Sequence, residues 1–359
     1  MAAIIPPVPD PQYVSDTLRN KLPFRTELTQ LTLLTGDASN RRYFRLYVSG
    51  GPPHSLVLMQ LSSPDAFKQS EEAVSRHAPV VTELPFVNIL RHLMKADVAV
   101  PELHYYDQTA GLLYLEDLGD VTLALASHDG ANPDTPELYG DAVEALARLH
   151  LKASFPADAT CLAFGRAFDV PLLMWEFDHF IEYGIERRAG ITLAEAEART
   201  IRAEMRKIAE LLASQPRVFT HRDYHSRNLM VRDGRLRVID FQDALMGPAS
   251  YDLASLLRDS YVSLPEELIE ELVVRYLEVR AKFGAPLDRV QFMRLFDMTS
   301  IQRNLKAAGR FVYILEEKNN DRYLQYLPRT LANVKRNLLR YPALHPLRKA
   351  LAPYVPELQ

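Results

Sequence analysis

The sequence predicts an α+β protein with a small, strand-rich N-terminal domain at 1–118 and a larger, mainly helical domain at 119–359. Short runs of β-branched and aromatic residues, separated by turn-forming residues, dominate the first part of the chain. Apolar residues at helical spacing dominate the second part, except for a strand-and-loop segment at 217–244. A chain of 359 residues is long enough for each part to bury its own core.

The N-terminal domain begins with a proline-rich stretch at 1–12, which we expect to be a loose arm. The runs GDASN and SGGPP have turn composition and separate the first three predicted strands. The predicted elements are a helix at 14–22, strands at 28–34, 43–48 and 55–60, a helix at 81–96 and a strand at 112–116.

The C-terminal domain is predicted to be helical at 138–154, at 193–214 and over most of the chain after Tyr251. Between these helices the pattern changes to the short apolar runs RVFTH, NLMV and LRVIDF. Asp233 and Gly234 separate the last two runs, and Asp-Gly between apolar runs predicts a β-hairpin.

Composition and charge exclude several classes of protein. With 42 basic and 46 acidic residues, the chain has a net charge of −4 and no global basic field for nucleic acid or an anionic membrane. Cys161 is the single cysteine, so no intrachain disulfide or cysteine-based zinc cluster is possible. No apolar run approaches the roughly 20 residues of a membrane helix, and the N-terminus lacks a signal-peptide pattern. We therefore expect a cytoplasmic protein.

The segment VFTHRDYHSRNLMVRDGRLRVIDFQDA has the composition of a phosphoryl-transfer site. Such a site needs a carboxylate that orients or deprotonates an acceptor hydroxyl, and oxygen ligands for Mg²⁺. Asp223 fits the first role, while Asn228 and Asp240 fit the second because the hairpin can bring them to one place. His221 is expected to hold the shape of the loop. Each of these residues taken singly is more often a cap or turn residue, and His225 more often a solvated one, so the prediction rests on the joint pattern.

This segment resembles the catalytic loop and magnesium strand of aminoglycoside phosphotransferases and related small-molecule kinases. GDASNRRYFRL, LPFVNILRHLMKADVAVPEL, LLYLEDLGD and IQRNLKAAGRFVYI resemble one subgroup of these kinases. Members of this subgroup phosphorylate the anomeric hydroxyl of N-acetylmuramate and N-acetylglucosamine in peptidoglycan recycling. The resemblance covers about residues 28–340 and implies a bilobal, protein-kinase-like fold with ATP in the cleft.

The resemblance implies roles for residues in the N-terminal domain. GDASNRRYFRL corresponds to the turn over the ATP phosphates, and LLYLEDLGD to the hinge that pairs with adenine through backbone groups of Glu116 and Leu118. Most kinases of this class carry a strand lysine that contacts the phosphates, but Met59 and Gln60 occupy that place here. The implied phosphate ligands are Gly36, Ser39, Asn40, Arg41 and Arg45, with Arg42 as a further local cation.

In the C-terminal domain Arg222 and Arg227 flank the base, either to stabilise the transferring phosphoryl group or to form salt bridges to a helix. Asp252 matches a position that supports the catalytic loop, although N-capping would also explain it. Trp175 and Phe177 fit the core better than sugar stacking. Candidate acceptor ligands are Gln242, Asp243, Glu176, Asp178, Arg303, Asn304 and Lys306; Arg303 and Lys306 are suited to a carboxylate, although capping of a helix bundle explains them equally well.

These observations predict an ATP- and Mg²⁺-dependent sugar 1-kinase with a small-molecule acceptor. Two alternatives stay open. The first is a kinase of the same fold that acts on an aminoglycoside, choline or homoserine. The second is a pseudokinase that binds nucleotide or a protein partner without turnover; the missing strand lysine favours it, whereas Asp223, Asn228 and Asp240 argue against it.

Overall fold

The computed structural model describes residues 6–24, 26–34, 41–62 and 83–359. By its internal contacts the chain divides into two compact units, Met1–Glu71 with Val100–Asp120, and Glu72–Ala99 with Val121–Gln359. The first unit is rich in strands and the second is mainly helical, which confirms the predicted α+β class. Within the described residues no helix is both long and apolar enough to cross a lipid bilayer.

The first unit contains helix α1 and a five-stranded antiparallel sheet of order β1-β2-β3-β5-β4. α1 buries Val14 and Leu18 in the same cluster as Phe44, Leu58 and Tyr114 from one face of the sheet. The bounds are α1 Pro11–Lys21, β1 Glu27–Leu34, β2 Arg42–Ser49, β3 Ser55–Gln60, β4 Leu103–Asp107 and β5 Leu112–Glu116. The pattern did not predict β4; it lies at the edge of the sheet and shows no in-and-out alternation of burial.

The second unit is built from ten α-helices and four short strands within the described chain. The predicted helices at 138–154 and 193–214 are observed as α4 and α6 with slightly different ends. The helices are α2 Pro85–Lys95, α3 Leu123–Ala126, α4 Thr135–Lys152, α5 Val170–His179, α6 Glu195–Ala213, α7 Ser250–Leu257, α8 Glu266–Lys282, α9 Arg289–Lys318, α10 Leu327–Arg340 and α11 His345–Leu351. A π-helical segment, Phe180–Arg187, continues α5.

The strands of the second unit carry the segment of interest. β7 (Leu229–Arg232) and β8 (Arg235–Val238) form the predicted hairpin, and Asp233 and Gly234 between them have φ of +50° and +66°. Both values suit a tight two-residue turn, which explains the Asp-Gly pair. β6 (Arg217–Thr220) pairs with β9 (Leu245–Pro248), which the pattern missed because glycine and proline are uncommon in strands.

Two glycines permit close packing in the second unit. A Cβ atom on Gly247 of β9 would lie 2.6 Å from the ring of Phe168. A Cβ atom on Gly309 of α9 would lie 2.8 Å from the Cα of Phe180. Since real Cβ atoms do not approach so closely, only glycine lets α9 pack directly against the start of the π-helical segment.

Candidate active site

The loop that follows β6 carries Asp223 and is held by a buried carboxylate. Asp252, in the first turn of α7, accepts hydrogen bonds from the backbone N–H groups of His221 at 2.7 Å and Arg222 at 2.9 Å. Arg222 has a φ of +80°, a conformation that costs a non-glycine residue roughly 1–3 kcal/mol. The two hydrogen bonds to Asp252 stabilise this strained backbone immediately before Asp223.

His221 connects the loop to the strand end that carries Asp240. Its Nε2 lies 3.0 Å from the carbonyl oxygen of Ile239, and its Nδ1 lies 3.3 Å from the backbone nitrogen of Asp223. A carbonyl can only accept and a backbone N–H can only donate, so this geometry assigns the proton of the neutral ring to Nε2. The imidazole therefore fixes the distance between the two segments without presenting itself to a substrate.

Asn228 contacts both of the other residues predicted to take part in phosphoryl transfer, Asp223 and Asp240. Its Nδ2 donates to the backbone oxygen of Asp223 at 2.9 Å and lies 3.5 Å from Oδ2 of Asp240. The β7–β8 hairpin brings Asp240 back to Asn228, and Ile239 N–H donates to the carbonyl of Asn228 at 3.1 Å. Asp240 has a φ of +65°, a second left-handed conformation in the same site.

The side-chain oxygens at this junction fit a hard divalent cation. Nδ2 of Asn228 is engaged, and no described residue donates to its Oδ1. The Asp240 carboxylate is exposed, and Gln242 orients it by donating from Nε2 to Oδ1 at 2.9 Å. Mg²⁺ is commonly bound by one or two such side chains together with phosphate oxygens. Among the described residues there is no cluster of three or more His, Cys, Asp or Glu suited to a metal.

Asp223 presents an ionised carboxylate at the surface of the loop. Its side chain is 38% exposed, and Oδ1 lies 3.8 Å from a guanidinium nitrogen of Arg303 in α9. Partial burial would raise the pKa of Asp223, but the positive charges of Lys306 and Arg303 outweigh this effect and hold the pKa well below its usual range. The carboxylate is therefore negatively charged at any pH at which the protein is expected to work.

Glu176 is the centre of a buried polar network rather than a group that faces a ligand. Its side chain is fully buried, and one oxygen lies 3.0 Å from Arg222 and 2.9 Å from Nζ of Lys306. The other oxygen accepts from Gln302 at 2.8 Å and lies 3.5 Å from the hydroxyl of Tyr251. These contacts favour the salt-bridge interpretation for Arg222, and a supporting role in place of the predicted acceptor contact for Glu176.

The side chain of Arg227 packs against aromatic residues of the C-terminal part of the chain. Its guanidinium lies 3.9 Å from the ring centre of Tyr261, and it donates to the hydroxyl of Tyr326 at 2.7 Å. Cation–π and hydrogen-bond contacts of this kind anchor the 226–228 turn to the C-terminal helices. Asp259 holds the same turn by accepting from the backbone and the hydroxyl of Ser226.

The remaining acceptor candidates are dispersed. Gln242 is buried and contacts Asp240 and Asp243, so it supports the proposed metal ligand. Phe177 is fully buried, in agreement with a core position. Asp178 is half exposed and pairs with Arg202 of α6. Asn304 is buried and hydrogen-bonded to Ser300 within α9.

Sequence patterns missed the residue that completes the support of the loop. His150 of α4 is fully buried, with Nε2 3.1 Å from Asp252 and Nδ1 2.7 Å from the hydroxyl of Tyr276. Burial lowers the pKa of His150 in spite of the neighbouring carboxylate. No motif marks this histidine, which has the same spacing as its apolar neighbours in an amphipathic helix.

In the first unit, Arg45 is committed to two carboxylates. Its guanidinium contacts Asp117 at 2.7 and 3.1 Å and Asp120 at 2.9 Å. Hydrogen bonding to these carboxylates raises the pKa of Arg45. The contacts favour a structural role at the turn that follows Glu116 and Leu118, in place of the predicted contact with phosphate.

The structure describes only some of the other predicted nucleotide ligands. Gly36, Ser39 and Asn40 lie outside the described residues. Arg41 lies beside β2 and stays a candidate. Where the strand lysine was expected, Met59 is paired with Tyr43 and Leu113, while Gln60 accepts from Arg42 at 2.7 Å on the face that carries α1. Arg42 is thereby engaged by its neighbour in the sheet and by the carbonyl of Pro7.

The chain is similar to a known protein family, to characterised relatives and to solved structures. The model of the phosphotransferase enzyme family matches residues 30–286. The N-acetylmuramate/N-acetylglucosamine kinase of Pseudomonas putida is 32% identical over 95% of this chain and 93% of its own, and the kinase of the same name from Neisseria meningitidis serogroup B is 32% identical over 90% of each. The ADP-bound structure of aminoglycoside phosphotransferase APH(2'')-Ib superposes with a TM-score of 0.58 at 15% identity, covering 91% of this chain and 98% of that one. The last likeness confirms the protein-kinase-like fold.

Proposed function

This chain belongs to the phosphotransferase enzyme family and is an enzyme that phosphorylates a hydroxyl group; we propose that it transfers the γ-phosphoryl group of ATP to the anomeric hydroxyl of N-acetylmuramate or N-acetylglucosamine. The names of the relatives from Pseudomonas putida and Neisseria meningitidis support these two sugars. The choice of the anomeric hydroxyl rests on the sequence resemblance. The proposed role is the recycling of cell-wall amino sugars, in the cytoplasm.

The observation that carries the proposal is the meeting of Asp223 and Asp240 at Asn228. Asp223 is ionised and partly exposed, so it can accept a hydrogen bond from the acceptor hydroxyl and orient it towards a phosphoryl group. Arg303, 3.8 Å away, restrains that carboxylate. Positioning and electrostatic stabilisation supply most of the rate in phosphoryl transfer, and a rigid carboxylate on a supported loop meets that requirement.

Asn228 and Asp240 would hold Mg²⁺, through the amide oxygen Oδ1 and the carboxylate. When bound, the ion would neutralise charge on the nucleotide phosphates. Gln242 keeps the Asp240 carboxylate in one orientation, and the Asn228 Nδ2 contact with Asp223 keeps the amide oxygen directed away from the loop backbone.

For the nucleotide base we propose backbone contacts at Glu116 and Leu118, at the end of β5. The side chain of Asp117 caps this turn by accepting from Gly119 N–H at 2.9 Å and from Arg45. A turn fixed by its own side chains presents backbone groups at constant positions, which suits recognition of a flat base edge.

The test is an acceptor panel with purified protein, ATP and Mg²⁺. It contains N-acetylmuramate, N-acetylglucosamine, kanamycin and choline, with ADP release as the readout and phosphorus NMR to locate the product phosphate. We expect turnover with at least one amino sugar and a phosphate on C1. Turnover with the cationic acceptors alone would overturn the sugar assignment, a phosphate on another hydroxyl would overturn the anomeric one, and ATP binding without turnover on any acceptor would indicate a pseudokinase.

A further inference from the structure

One face of α9 carries a row of cations that begins beside Asp223. The three cations are Arg303, Lys306 and Arg310, and Tyr313 follows them. These residues are spaced by three or four positions, so their side chains lie on the same side of the helix. Contacts with Asp223 and Glu176 establish that the row starts at the proposed site. Lys306 and Arg310 are one helical turn apart, about 6 Å along the axis.

The positive charge of this row is only partly neutralised. Lys306 has three N–H donors, and within the described part of the chain its contact is with one oxygen of Glu176. That oxygen is shared with Arg222. Arg310 is exposed and lies over the ring of Tyr313 at 4.5 Å, and the described residues offer it no carboxylate. Two cations with remaining donors therefore point from the same face of α9.

The surface next to these cations is aromatic, and at its far side the Tyr183 hydroxyl donates to the carboxylate of Glu317 at 3.5 Å. His179 contacts the rings of Trp175, Tyr183 and Tyr313 at 6.0, 4.7 and 5.4 Å between centres. Nε2 of His179 is buried and has no hydrogen-bond partner among the described residues. Burial, reinforced by the charges of Arg310 and Lys306, lowers the pKa of His179 to about 4, so the ring is neutral at ordinary pH. Trp175, which the sequence pattern assigned to the core, is half-buried, and an indole in this position is suited to a sugar ring.

We propose that Lys306 and Arg310 form an anion subsite that binds the carboxylate of the acceptor. The consequence is a preference for the carboxylated amino sugar, N-acetylmuramate, over the neutral N-acetylglucosamine. The inference rests on the proposed function and adds to it the residues that select between the two sugars. Arg303 restrains Asp223, so we expect it to affect the phosphorylation of both sugars equally.

The experiment compares kcat/KM for the two sugars in the parent and in Arg310→Met, Arg310→Glu and Lys306→Met. Each variant loses a hydrogen bond to the carboxylate of the bound sugar, so kcat/KM for the carboxylated sugar should fall by about 10- to 100-fold. In the two Arg310 variants kcat/KM for the neutral sugar should change little. Lys306→Met should lower kcat/KM for both sugars, and further for the carboxylated one, because Lys306 also helps to keep Asp223 ionised. Arg289→Met and Arg289→Glu, at the exposed start of the same helix, are the matched controls and should alter neither sugar. The fall in kcat/KM for the carboxylated sugar should be larger in Arg310→Glu than in Arg310→Met, because the glutamate repels the carboxylate.

Lys306→Met leaves buried Glu176 with one cation fewer, so Lys306→Met combined with Glu176→Gln is measured as well. Retained turnover of the neutral sugar shows that each variant is folded. Equal loss for both sugars in the Arg310 variants, or a parent without preference for the carboxylated sugar, overturns the anion subsite while the kinase assignment stands. A parent that phosphorylates neither sugar overturns the proposed function itself, and the subsite with it.

Discussion

The loop that carries Asp223 in the second unit and strand β2 in the first unit treat their charged side chains in opposite ways. In the loop, buried Asp252 holds the backbone, and the carboxylates of Asp223 and Asp240 stay accessible. In β2, Arg45 is covered by Asp117 and Asp120. A charged residue is available for chemistry when neighbouring groups satisfy its backbone, and is unavailable when they satisfy its side chain.

The largest expected effect comes from Asp223, the proposed base, whose carboxylate is partly exposed. Asp223→Asn removes the charge while it keeps the size, and we expect kcat to fall by about 10²–10⁴-fold. The affinity for ATP should be retained, because the residues proposed to bind Mg²⁺ and the adenine ring are other than Asp223. Steady-state kinetics and ATP titration calorimetry measure the two quantities. Turnover at the parent rate would remove Asp223 from the chemistry.

Removal of the buried carboxylate should act on stability first. Asp252→Ala leaves two backbone N–H groups and His150 without their acceptor, and we expect a loss of about 3–5 kcal/mol in the free energy of unfolding. Urea unfolding measures it. Asp178→Ala, which breaks a half-exposed pair with Arg202, is the control and should cost less than about 1 kcal/mol. Similar costs for the two variants would contradict the contrast between buried and exposed carboxylates.

A smaller effect is expected for the residue that orients the proposed metal ligand. Gln242→Leu removes the hydrogen bond to Asp240, so the Mg²⁺ concentration for half-maximal activity should rise roughly 10- to 100-fold. At saturating Mg²⁺ the KM for the sugar should match that of the parent. An unchanged Mg²⁺ dependence would mean that Asp240 needs no such support.

Acidification should weaken the support of the loop that carries Asp223. Burial places the pKa of His150 in the folded protein below the value of about 6.5 in the unfolded chain, so the unfolded chain takes up the proton first. This contribution to stability is present above about pH 6.5 and is lost as the pH falls below it, by at most ~1.4 kcal/mol per pH unit for one proton. His150→Gln should reduce the slope of unfolding free energy between pH 7.5 and 5.5. An identical slope in the variant would assign the pH dependence to other groups.

The smallest effect on activity is expected in β2. Arg45→Met should leave the KM for ATP little changed. It should lower the free energy of unfolding by roughly 3 kcal/mol, because the side chains of Arg45 and Asp117 are only 12% and 6% exposed and the Asp117 carboxylate would lose its cation. Arg41→Met is the comparison, and a raised KM for ATP in that variant alone would sharpen the distinction. A raised KM for ATP in Arg45→Met would restore Arg45 as a phosphate ligand.

The sequence by itself determined the α+β class, the β7–β8 hairpin and the residues of the chemical segment. Local information is sufficient for these features: Asp233-Gly234 favours a tight turn, and hairpin geometry then returns Asp240 to Asn228. It also determined the family likeness, since the quoted motifs are contiguous in the chain. Edge strand β4 escaped prediction because its burial does not alternate, and strand β9 because it contains glycine and proline.

Only the tertiary structure decided which charged side chains are available. Asp252 and His150 are 102 residues apart, and Glu176 meets Gln302 across 126 residues, so no spacing rule could pair them. The same holds for Arg45, whose partners lie 72 and 75 residues further along the chain. The free energy of a charge depends on the groups packed around it in space, and this environment exists only once the helices and strands have come together.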